Sequence, residues 1–532
     1  MARAPKGGKR AKKPAAPFVS RRRDPRAHEM WGTLDAAQRD ACLFVHEGAG
    51  SMFLCGAAGT GKSRVITVVA DTADAAITAT TACAASLIAG VTLHSLLRWI
   101  PGESYTDWCK YIRLVRRRLA YVHVLVVDEA SMLARPDFET LDRMLRKVAA
   151  GIRARAVTCA APFGGFRLLL VGDVLQLPPV GGAPFYTAPL FAQLAPRVLV
   201  LARIFRQTAP LFLHLLAALR LGRPTPLAVL TVLALEWTAA NLVAQTNAMH
   251  LYAVRVLRDA HNLHQLRLFG PCTRFERSWE LGVDGPGAYT IGGKRVDVAA
   301  EVARESHPPP AIPALFALGC PVRVVANVDP RGGLVNGALG FVEGIDAAAR
   351  TVTVRLADGR RHVVAERPVY TRVWKLAGGR KLVDRCVCLP LELAFAATVH
   401  AAQGATVAGP LVLDTTHPYV NAALLYVGAS RATRLAHLLP CGVAAAMARV
   451  HPAPGALDFL AAHGLDRAAE RAALDAESAA LLPAVAAAFA AEADLSPDDA
   501  RRALRGVLAN PRLPAAWPKM NPAWDAVRAA LG

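Results

Sequence analysis

The sequence predicts an α/β protein with two regions of parallel β-sheet, a small all-β insertion in the second region and an α-helical C-terminal region. From residue 31 to about residue 202, short apolar runs alternate with helical stretches, which is typical of a parallel sheet covered by helices. The same alternation resumes from about residue 205 to residue 442. After residue 443 the chain is rich in alanine, and Ser496-Pro497-Asp498-Asp499 is typical of a helix start. A chain of 532 residues is long enough for two to four domains.

Short apolar runs give the predicted strands of the two regions. Those of the first region are Met52–Cys55, Ala76–Ala79, Val122–Val127, Arg167–Val171 and Val198–Leu201. Those of the second region are Leu242–Gln245, Val322–Val325, Pro410–Leu413 and Leu424–Val427. Within the second region, apolar residues alternate with polar ones around a two-residue turn at Asp358-Gly359, which predicts a β-hairpin. We therefore place the all-β insertion at about residues 337–381.

The chain is strongly basic, with a formal net charge of +21. Residues 1–23 hold nine of the Lys and Arg residues and no acid, which leaves +12 on the rest of the chain. This balance favours nucleic acid, rather than a membrane, as the polyanionic partner. Residues 1–27 lack the apolar residues of a core, so we expect a disordered basic tail. The tail fits a nuclear address or a tether to DNA, with a mitochondrial address or a plain solvated tail as alternatives.

Cysteine use and hydropathy predict a soluble intracellular protein. The ten cysteines are scattered, and only Cys386 and Cys388 are close neighbours, without a second Cys or His pair to complete a zinc site. Free thiols of this kind are typical of a reducing compartment. No apolar run approaches the roughly 18 residues that cross a bilayer, and no signal-peptide core follows the basic start.

A glycine-rich segment follows the apolar run Met52–Cys55 and precedes a helical stretch. Its glycines allow backbone N–H groups to face phosphate oxygens, and the helix N-terminus adds a favourable dipole. In such a loop Lys62 contacts the β- and γ-phosphates, and the Ser63 hydroxyl binds Mg²⁺. The predicted nucleotide-binding residues here are Gly56, Ala57, Ala58, Gly59, Thr60, Gly61, Lys62 and Ser63.

Two further predicted strands end in polar residues suited to nucleotide hydrolysis. The run Val122–Val127 ends in Asp128-Glu129, where Asp128 is a candidate Mg²⁺ ligand and Glu129 a candidate base for the attacking water. The run Arg167–Val171 leads to Gly172-Asp173 and then to Gln176. A glutamine at a strand end can sense the γ-phosphate, and Pro178-Pro179 would stiffen the connection that follows.

Several motifs in a fixed order resemble the Pif-type DNA helicases of superfamily one, which are relatives of the RecD helicases. The most specific part is Ala161–Phe166 followed by Gly172–Val180. The resemblance covers about residues 34–440. The remaining matching segments are Leu34–Gln38, Thr78–Ala85, Gly90–Ser95, Ile204–Gln207, Leu334–Gly337, Thr398–Gly404 and Tyr426–Ala432.

This resemblance implies two RecA-like P-loop NTPase domains with ATP and Mg²⁺ between them, and an SH3-like fold for the insertion. The expected domains are 28–204, including a small wedge insertion at about 92–119, and 205–442, followed by the helical region 443–532. Gln38 is then expected to contact the adenine base, and Gly404 to lie at the nucleotide. Arg206 and Arg431 are expected to contact the phosphates from the second domain, which makes them catalytic together with Lys62, Glu129 and Gln176.

The family is expected to move 5′→3′ on single-stranded DNA and to unwind duplex DNA in replication, recombination or repair. Replication or recombination proteins are expected partners, and the nucleus or a DNA-replication site is the expected location. Trp99, Trp108 and Tyr111 are either a stacking surface for bases or core aromatics. The residues expected to contact DNA by resemblance are Thr81, Thr92, His94, Asn336, Thr398, His400 and Gln403.

Two departures from the family pattern keep alternatives open. Ala401 and Ala402 stand where the family usually carries a lysine and a small hydroxyl residue, and Ala82 replaces a usual glycine. The first departure supports an alternative function, a weakly hydrolysing subunit that binds single-stranded nucleic acid within a replication assembly. An RNA helicase is a second enzyme hypothesis, less favoured than a DNA helicase, because phosphate contacts alone do not distinguish the two sugars.

Overall fold

The computed structural model describes residues 20, 22–48, 50–99, 105–152, 158–242, 248–276, 278–283, 290–291, 294–295, 314–329, 332–375 and 381–509. Most of the predicted tail, residues 1–19 and 21, lies outside this range. The predicted tail is nevertheless too long at its C-terminal end. Residues Pro25–Ala27 form a 3₁₀ helix whose N-cap is Asp24, and Pro25 is buried. Nearby, the Arg23 N–H donates to the carbonyl of Thr72, so this segment packs on the first domain.

The first domain is built on a six-stranded parallel sheet in the order β3-β2-β4-β5-β1-β6. Helices cover both faces of the sheet, and the central strands are buried throughout. The strands are β1 Met52–Gly56, β2 Ala75–Ala79, β3 Val91–Thr92, β4 Val124–Asp128, β5 Arg167–Gly172 and β6 Arg197–Leu201. The helices are α1 Ala36–Glu47, α2 Lys62–Thr72, α3 Ala82–Leu87, α4 Leu93–Leu97, α5 Tyr105–Trp108, α6 Ile112–Leu119, α7 Arg135–Ala149 and α8 Pro189–Leu194.

The second domain has its own parallel sheet of four strands, in the order β20-β7-β21-β22. These strands are β7 Met249–Tyr252, β20 Ala396–Thr398, β21 Leu411–Asp414 and β22 Leu438–Cys441. The helices of this domain are α9 Pro210–Arg220, α10 Pro226–Leu242, α11 Arg255–Arg267 and α12 Ala422–Ala429. The predicted α/β class with two parallel sheets is confirmed.

Three strand predictions in the second domain were wrong in detail. The run Leu424–Val427 lies inside helix α12, and its residues are buried on all sides; a short apolar run of this kind does not distinguish a buried helix from a strand. The run Val322–Val325 pairs with strands of the insertion instead of the parallel sheet. For Leu242–Gln245, helix α10 extends to Leu242, residues 243–247 lie outside the described range, and the strand is Met249–Tyr252.

The insertion lies between α11 and β20 and is longer than residues 337–381. Its main sheet has five antiparallel strands in the order β16-β15-β14-β13-β19. Residues 321–324 pair with residues 339–341 on one side and with residues 391–393 on the other. This pairing extends the sheet beyond the predicted bounds. The strands of the insertion are β8 Thr273–Phe275, β9 Ser278–Val283, β10 Thr290–Ile291, β11 Lys294–Arg295, β12 Ala314–Phe316, β13 Pro321–Val324, β14 Leu339–Asp346, β15 Thr351–Leu356, β16 Arg361–Ala365, β17 Arg367–Lys375, β18 Lys381–Cys388 and β19 Leu391–Leu393.

The C-terminal helices contribute to both domain cores. The side chains of Leu457 and Leu460, in helix α14, lie in the core of the first domain, and the ring of Phe459 packs against Tyr186 at 4.6 Å. Leu474, Phe489 and Leu504, from the three helices that follow, lie in the core of the second domain. The helices are α13 Val443–Met447, α14 Pro454–Ala462, α15 Arg467–Leu481, α16 Val485–Glu492 and α17 Pro497–Leu508.

One helical stretch among the described residues, Arg467–Glu492, is long and apolar enough to cross a membrane by length and composition. The stretch also carries charged residues, including Arg471 and Asp475, and its Val485 and Phe489 belong to the second-domain core. Most of its other residues are exposed, and 17% of the apolar window is buried in the protein.

Candidate functional site

The phosphate loop connects the buried strand β1 to helix α2. Gly59 and Gly61 have φ angles of +83° and +80°, which side chains with a Cβ rarely adopt. A Cβ at Gly59 would also lie 2.7 Å from the Cβ of Arg206. The Lys62 ammonium group donates to the carbonyls of Gly56 and Ala57, at 2.7 and 2.9 Å. In this structure the Lys62 side chain is therefore bound by carbonyl groups of its own loop.

Asp128 is the last residue of strand β4 and Glu129 follows it, at the edge of the sheet where β1 also ends. Glu129 has a left-handed backbone conformation, with φ of +51°, and its carbonyl accepts a hydrogen bond from the Thr80 hydroxyl at 3.0 Å. Burial, followed by the neighbouring charge of Glu129, raises the pKa of Asp128 to about 7. A left-handed backbone at a residue other than glycine, as at Glu129, is strained, and such strain is common at functional sites.

A continuous chain of hydrogen bonds connects Glu129 to the second domain. The Gln403 Nε2 atom donates to the Glu129 carboxylate at 2.9 Å and to the Gln176 Oε1 atom at 3.4 Å. The Gln176 Nε2 atom donates to Asp173 at 3.4 Å. The Arg220 guanidinium, at the end of α9, donates to both oxygens of Asp173, at 2.9 and 3.1 Å. Burial opposes the ionisation of Asp173, but Arg220 holds its pKa below the ordinary value.

Two arginines of the second-domain side of the cleft are fixed by backbone oxygens. Arg431 is buried, and its guanidinium donates to the carbonyls of Val427 and Ala405, at 2.8 and 3.0 Å. Arg206 donates to the carbonyl of Ser430 at 3.1 Å. Burial, followed by repulsion from Arg206, lowers the pKa of Arg431 to about 10. Both arginines line the cleft, where their positive charges suit a polyanionic ligand.

The phosphate loop also contacts the second domain directly. The backbone N–H of Ala58 donates to the hydroxyl of Tyr426, which is buried in α12. Side chains of Ala58 and Leu177, both from the first domain, pack within the apolar core of the second. Tyr426 lies within the motif Tyr426–Ala432, and no role was predicted for it.

These groups surround one cleft of about 420 Å³. Both domains line it, which is the position that two RecA-like domains require for ATP. The predicted residues that line it are Ala58, Gly59, Gly61, Lys62, Ser63, Asp128, Glu129, Gln176, Arg206, Gly404 and Arg431.

The oxygen groups at this cleft fit Mg²⁺. Ser63 lies in the first turn of α2, Asp128 is the last residue of β4, and both line the cleft. Mg²⁺ prefers oxygen ligands and binds through one or two protein groups together with substrate phosphates. Among the described residues there is no cluster of three or more His, Cys, Asp or Glu side chains that could hold a metal. The donor set is that of a metal bound with its nucleotide.

Gln38 lies behind the phosphate loop. Its side chain is fully buried, donates to the Thr60 carbonyl at 3.0 Å, and accepts from the Asp35 N–H at 3.0 Å. Asp35 in return caps α1 by accepting from the Gln38 N–H. Gln38 thus supports the loop in this structure, and the predicted contact with adenine stays a prediction.

The residues predicted to contact DNA lie in several places. Thr92 lines a second cleft, of about 650 Å³, between the first domain and the insertion. Asn336 belongs to a turn whose neighbours Val335 and Ala338 line the same cleft. Thr81 precedes the cleft-lining Ala82 and caps α3. Thr92, Thr81 and Asn336, all predicted to contact DNA, therefore lie in or next to this second cleft.

The other predicted DNA contacts differ in setting. His94 stacks on Trp99, with ring centroids 4.7 Å apart. Thr398 is buried and accepts a hydrogen bond from the Ala401 N–H, and burial lowers the pKa of His400. Gln403 is only 1% exposed and contacts Glu129 in the nucleotide cleft. The DNA-contacting role predicted for Gln403 therefore does not match its position.

The candidate stacking aromatics divide between core and surface. Trp108 is 1% exposed and its indole donates to the Leu97 carbonyl at 2.7 Å, so it is a core residue. Tyr111 is half-buried, with Lys110 and Arg98 over its ring at 4.8 and 5.5 Å. Arg220 and Asp173, like Tyr426, are site residues for which no role was predicted. Arg220 lies in no motif, and pairing across 47 residues leaves no local signal.

The fold and this cleft define a P-loop NTPase with two RecA-like domains that meet at one nucleotide site. A family model described as PIF1-like helicase matches residues 35–194. The ATP-dependent DNA helicase PIF1 of Homo sapiens is 30% identical over 376 residues, which are 67% of this chain and 53% of the relative. The ATP-dependent DNA helicase PIF7 of Trypanosoma brucei brucei is 29% identical over 452 residues, which are 73% of this chain and 44% of the relative. The chain is therefore similar to PIF1-like helicases over about two thirds of its length, as its motifs predicted.

Solved structures show the same fold. The Pif1 helicase from Candida albicans matches with a TM-score of 0.64 and 24% identity, over 81% of this chain and 99% of that one. The Pif1 helicase from Bacteroides in complex with ADP-AlF3 and single-stranded DNA matches with a TM-score of 0.66 and 22% identity, over 81% and 97%. The chain spans about half the length of the curated relatives it matches.

Proposed function

We propose that this chain is an ATP-dependent DNA helicase that moves 5′→3′ on single-stranded DNA and unwinds duplex DNA. The observation that carries the proposal is the cleft in which Lys62 and Glu129 from the first domain face Arg206 and Arg431 from the second. The similarity to ATP-dependent DNA helicases supports the choice of DNA and of ATP.

In the proposed reaction, Lys62 leaves its loop carbonyls to bind the β- and γ-phosphates. Glu129 accepts a proton from the attacking water, and Gln176 senses the γ-phosphate. Arg206 and Arg431 stabilise the charge on the transferring phosphoryl group. Mg²⁺ held by Ser63 and Asp128 would neutralise phosphate charge.

Domain movement would couple hydrolysis to translocation. The two arginines and Gln403 belong to the second domain or to its interface, whereas the phosphate loop belongs to the first. Binding of ATP draws these groups together, and loss of the γ-phosphate releases them. The second cleft, between Thr92 and the turn at Asn336, is the proposed path for part of the DNA strand.

The alternative of a weakly hydrolysing binding subunit is less well supported. Its sequence basis was the pair Ala401 and Ala402. Ala402 is 5% exposed and packs in the second-domain core, so a hydroxyl there would face apolar neighbours rather than a DNA strand. The catalytic groups also form a connected set in the cleft, which favours hydrolysis.

The test is the ATPase rate of the purified chain with no nucleic acid, with single-stranded DNA and with RNA. We expect strong stimulation by DNA, and abolition of ATPase and unwinding together by Lys62→Ala. Unwinding that persists in Lys62→Ala would contradict the proposal. Duplexes with a 5′ or a 3′ tail decide the direction, and unwinding of only the 3′-tailed duplex would refute 5′→3′ movement.

The proposed cellular setting is the nucleus or another site of DNA replication, with replication or recombination proteins as partners. The basis is the charge of residues 1–23 and the similarity to PIF1-like helicases. Localisation of the tagged full chain, compared with a version lacking residues 1–19, tests this proposal. If the shortened protein localises as the full chain does, residues 1–19 are not the targeting signal.

A further inference from the structure

Gln403 lies where the catalytic groups of the nucleotide cleft meet. It follows strand β20 on the second domain, and its side chain is 1% exposed. Its Nε2 atom donates to Glu129 and to Gln176. The next residue, Gly404, lines the cleft, and a Cβ placed there would lie 3.7 Å from the Glu129 Oε1 atom. The backbone of this segment thus runs alongside the candidate catalytic base.

The hydrogen-bond partners determine the orientation of the Gln403 amide, that is, the positions of its nitrogen and its oxygen. Glu129, as a carboxylate, only accepts hydrogen bonds. Gln176 also presents its oxygen to Gln403, because its Nε2 atom donates to Asp173. Asp173 is in turn a carboxylate bound by Arg220. Both partners of Gln403 are therefore acceptors, and the atom facing them must be the nitrogen.

The other end of this amide has no partner in the protein. The Gln403 Oε1 atom is buried and accepts no hydrogen bond. A buried carbonyl oxygen without a donor is unfavourable, and in native proteins such a group needs an explanation. This acceptor belongs to an amide that contacts Glu129 and precedes Gly404, both of which line the nucleotide cleft, so it is suited to a water molecule that the base also contacts.

We propose that Gln403 is a catalytic residue that positions the attacking water in ATP hydrolysis. Its Oε1 atom accepts a hydrogen bond from one hydrogen of the water, and Glu129 accepts the other hydrogen as a proton. The water oxygen bonds to the γ-phosphorus, the bond from the γ-phosphorus to the β–γ bridging oxygen breaks, and ADP leaves with the electron pair. The hydrogen bonded to Gln403 stays on the oxygen and leaves with inorganic phosphate.

This inference rests on the proposed ATPase activity and adds a condition to it. The water has both acceptors only when the second domain brings Gln403 to Glu129. The segment that carries Gln403 also carries Thr398 and His400, which are predicted to contact DNA. A DNA strand that shifts this segment would therefore change the hydrolysis rate without contacting the nucleotide.

The test compares Gln403→Ala with Asn336→Ala, a substitution at a predicted DNA contact outside the cleft. For Gln403→Ala we expect kcat for ATP hydrolysis at saturating single-stranded DNA to fall by about 100-fold or more, with KM for ATP and Kd for DNA nearly unchanged. For Asn336→Ala we expect weaker DNA binding and a kcat that recovers at saturating DNA. If Gln403→Ala behaves like Asn336→Ala, Gln403 is a DNA contact and the inference is wrong.

A second variant guards against a merely structural effect. Gln403→Glu keeps an acceptor of the same shape but replaces the amide donor that faces Glu129 with a second carboxylate. We expect kcat for ATP hydrolysis to fall at least as far as in Gln403→Ala, with binding of an ATP analogue retained. A wild-type kcat in Gln403→Glu, or loss of ATP-analogue binding in both variants, would overturn the inference. Wild-type protein that does not hydrolyse ATP would instead refute the proposed function itself.

Discussion

The hydroxyl oxygen of Tyr426 lies 2.8 Å from the backbone nitrogen of Ala58 and accepts its hydrogen bond. Ala58 belongs to the phosphate loop and Tyr426 to helix α12, so this contact joins the loop to the opposite domain across 368 residues of sequence. The conformation of the loop is therefore linked to the position of the second domain even before a nucleotide binds.

Replacing this tyrosine with Tyr426→Phe removes the acceptor and leaves the Ala58 N–H unpaired in a buried place. We expect the free energy of unfolding to fall by about 1–3 kcal/mol, measured by urea unfolding, and the KM for ATP to change. Tyr419, whose side chain is 75% exposed, supplies the control. Equal effects from Tyr419→Phe and Tyr426→Phe would show that the contact is unimportant.

The pair formed by Asp173 and Arg220 predicts a large loss of stability. Asp173 is fully buried, so Arg220→Met would leave its carboxylate without a countercharge. We expect a loss of about 3–5 kcal/mol in urea unfolding and a lower DNA-stimulated ATPase rate, because Asp173 also holds Gln176. Arg434→Met, which breaks the exposed pair with Asp494, should lose about 1 kcal/mol or less. A small effect of Arg220→Met would mean that Asp173 finds another partner.

Arg431 makes contacts that a lysine does not reproduce. Its guanidinium donates at three positions, to Val427, Ala405 and the Ser430 side chain. We expect Arg431→Lys to lower kcat for ATP hydrolysis by about 10³-fold while ATP still binds, since Lys62 and the loop are intact. Rapid-quench hydrolysis and binding of a fluorescent ATP analogue measure the two properties. A wild-type kcat in Arg431→Lys would exclude a role at the transferring phosphoryl group.

The pKa of Asp128 predicts how magnesium use depends on pH. Its pKa is raised to about 7, so below this pH the carboxyl holds a proton that competes with Mg²⁺. Ionisation above it creates the carboxylate that Mg²⁺ binds, and the apparent affinity for Mg²⁺ should therefore rise with pH. ATPase titrations with Mg²⁺ at about pH 6 and about pH 8 measure this shift. Asp128→Asn should remove most of the pH dependence, and a wild-type affinity that is flat with pH would count against it.

Leu460, in the C-terminal helix α14, is fully buried in the core of the first domain. We expect Leu460→Ala to lower the free energy of unfolding by about 2–5 kcal/mol, although the residue lies more than 250 positions beyond β6. Val180→Ala, at a side chain that is 84% exposed, should have almost no effect. Hydrogen exchange would locate the loss, and we expect it in strand β1, whose Phe53 contacts Phe459.

The sequence was most informative where chemistry requires a local pattern. The loop from Gly56 to Ser63 and the strand ending in Asp128 and Glu129 were predicted because their spacing has a direct physical meaning. Contacts between distant segments were not predictable in this way. Arg220 carries no motif around it, and the apolar run at Leu424–Val427 fits a strand as well as a buried helix. The position of Gln403 beside Glu129 depends on how the two domains meet, which no single segment encodes.

The helices after Gly442 limit how far the two domains can move apart. Helix α14 is fixed in one domain and helix α15 on the other, and only residues 463–466 connect them. A fully extended chain covers at most about 3.5 Å per residue, so the two helix ends cannot separate by more than about 17 Å. A short linker of this kind sets an upper bound on the displacement of one domain relative to the other. In the proposed helicase, lengthening this linker with glycine and serine is expected to loosen the coupling between ATP turnover and distance moved along the strand.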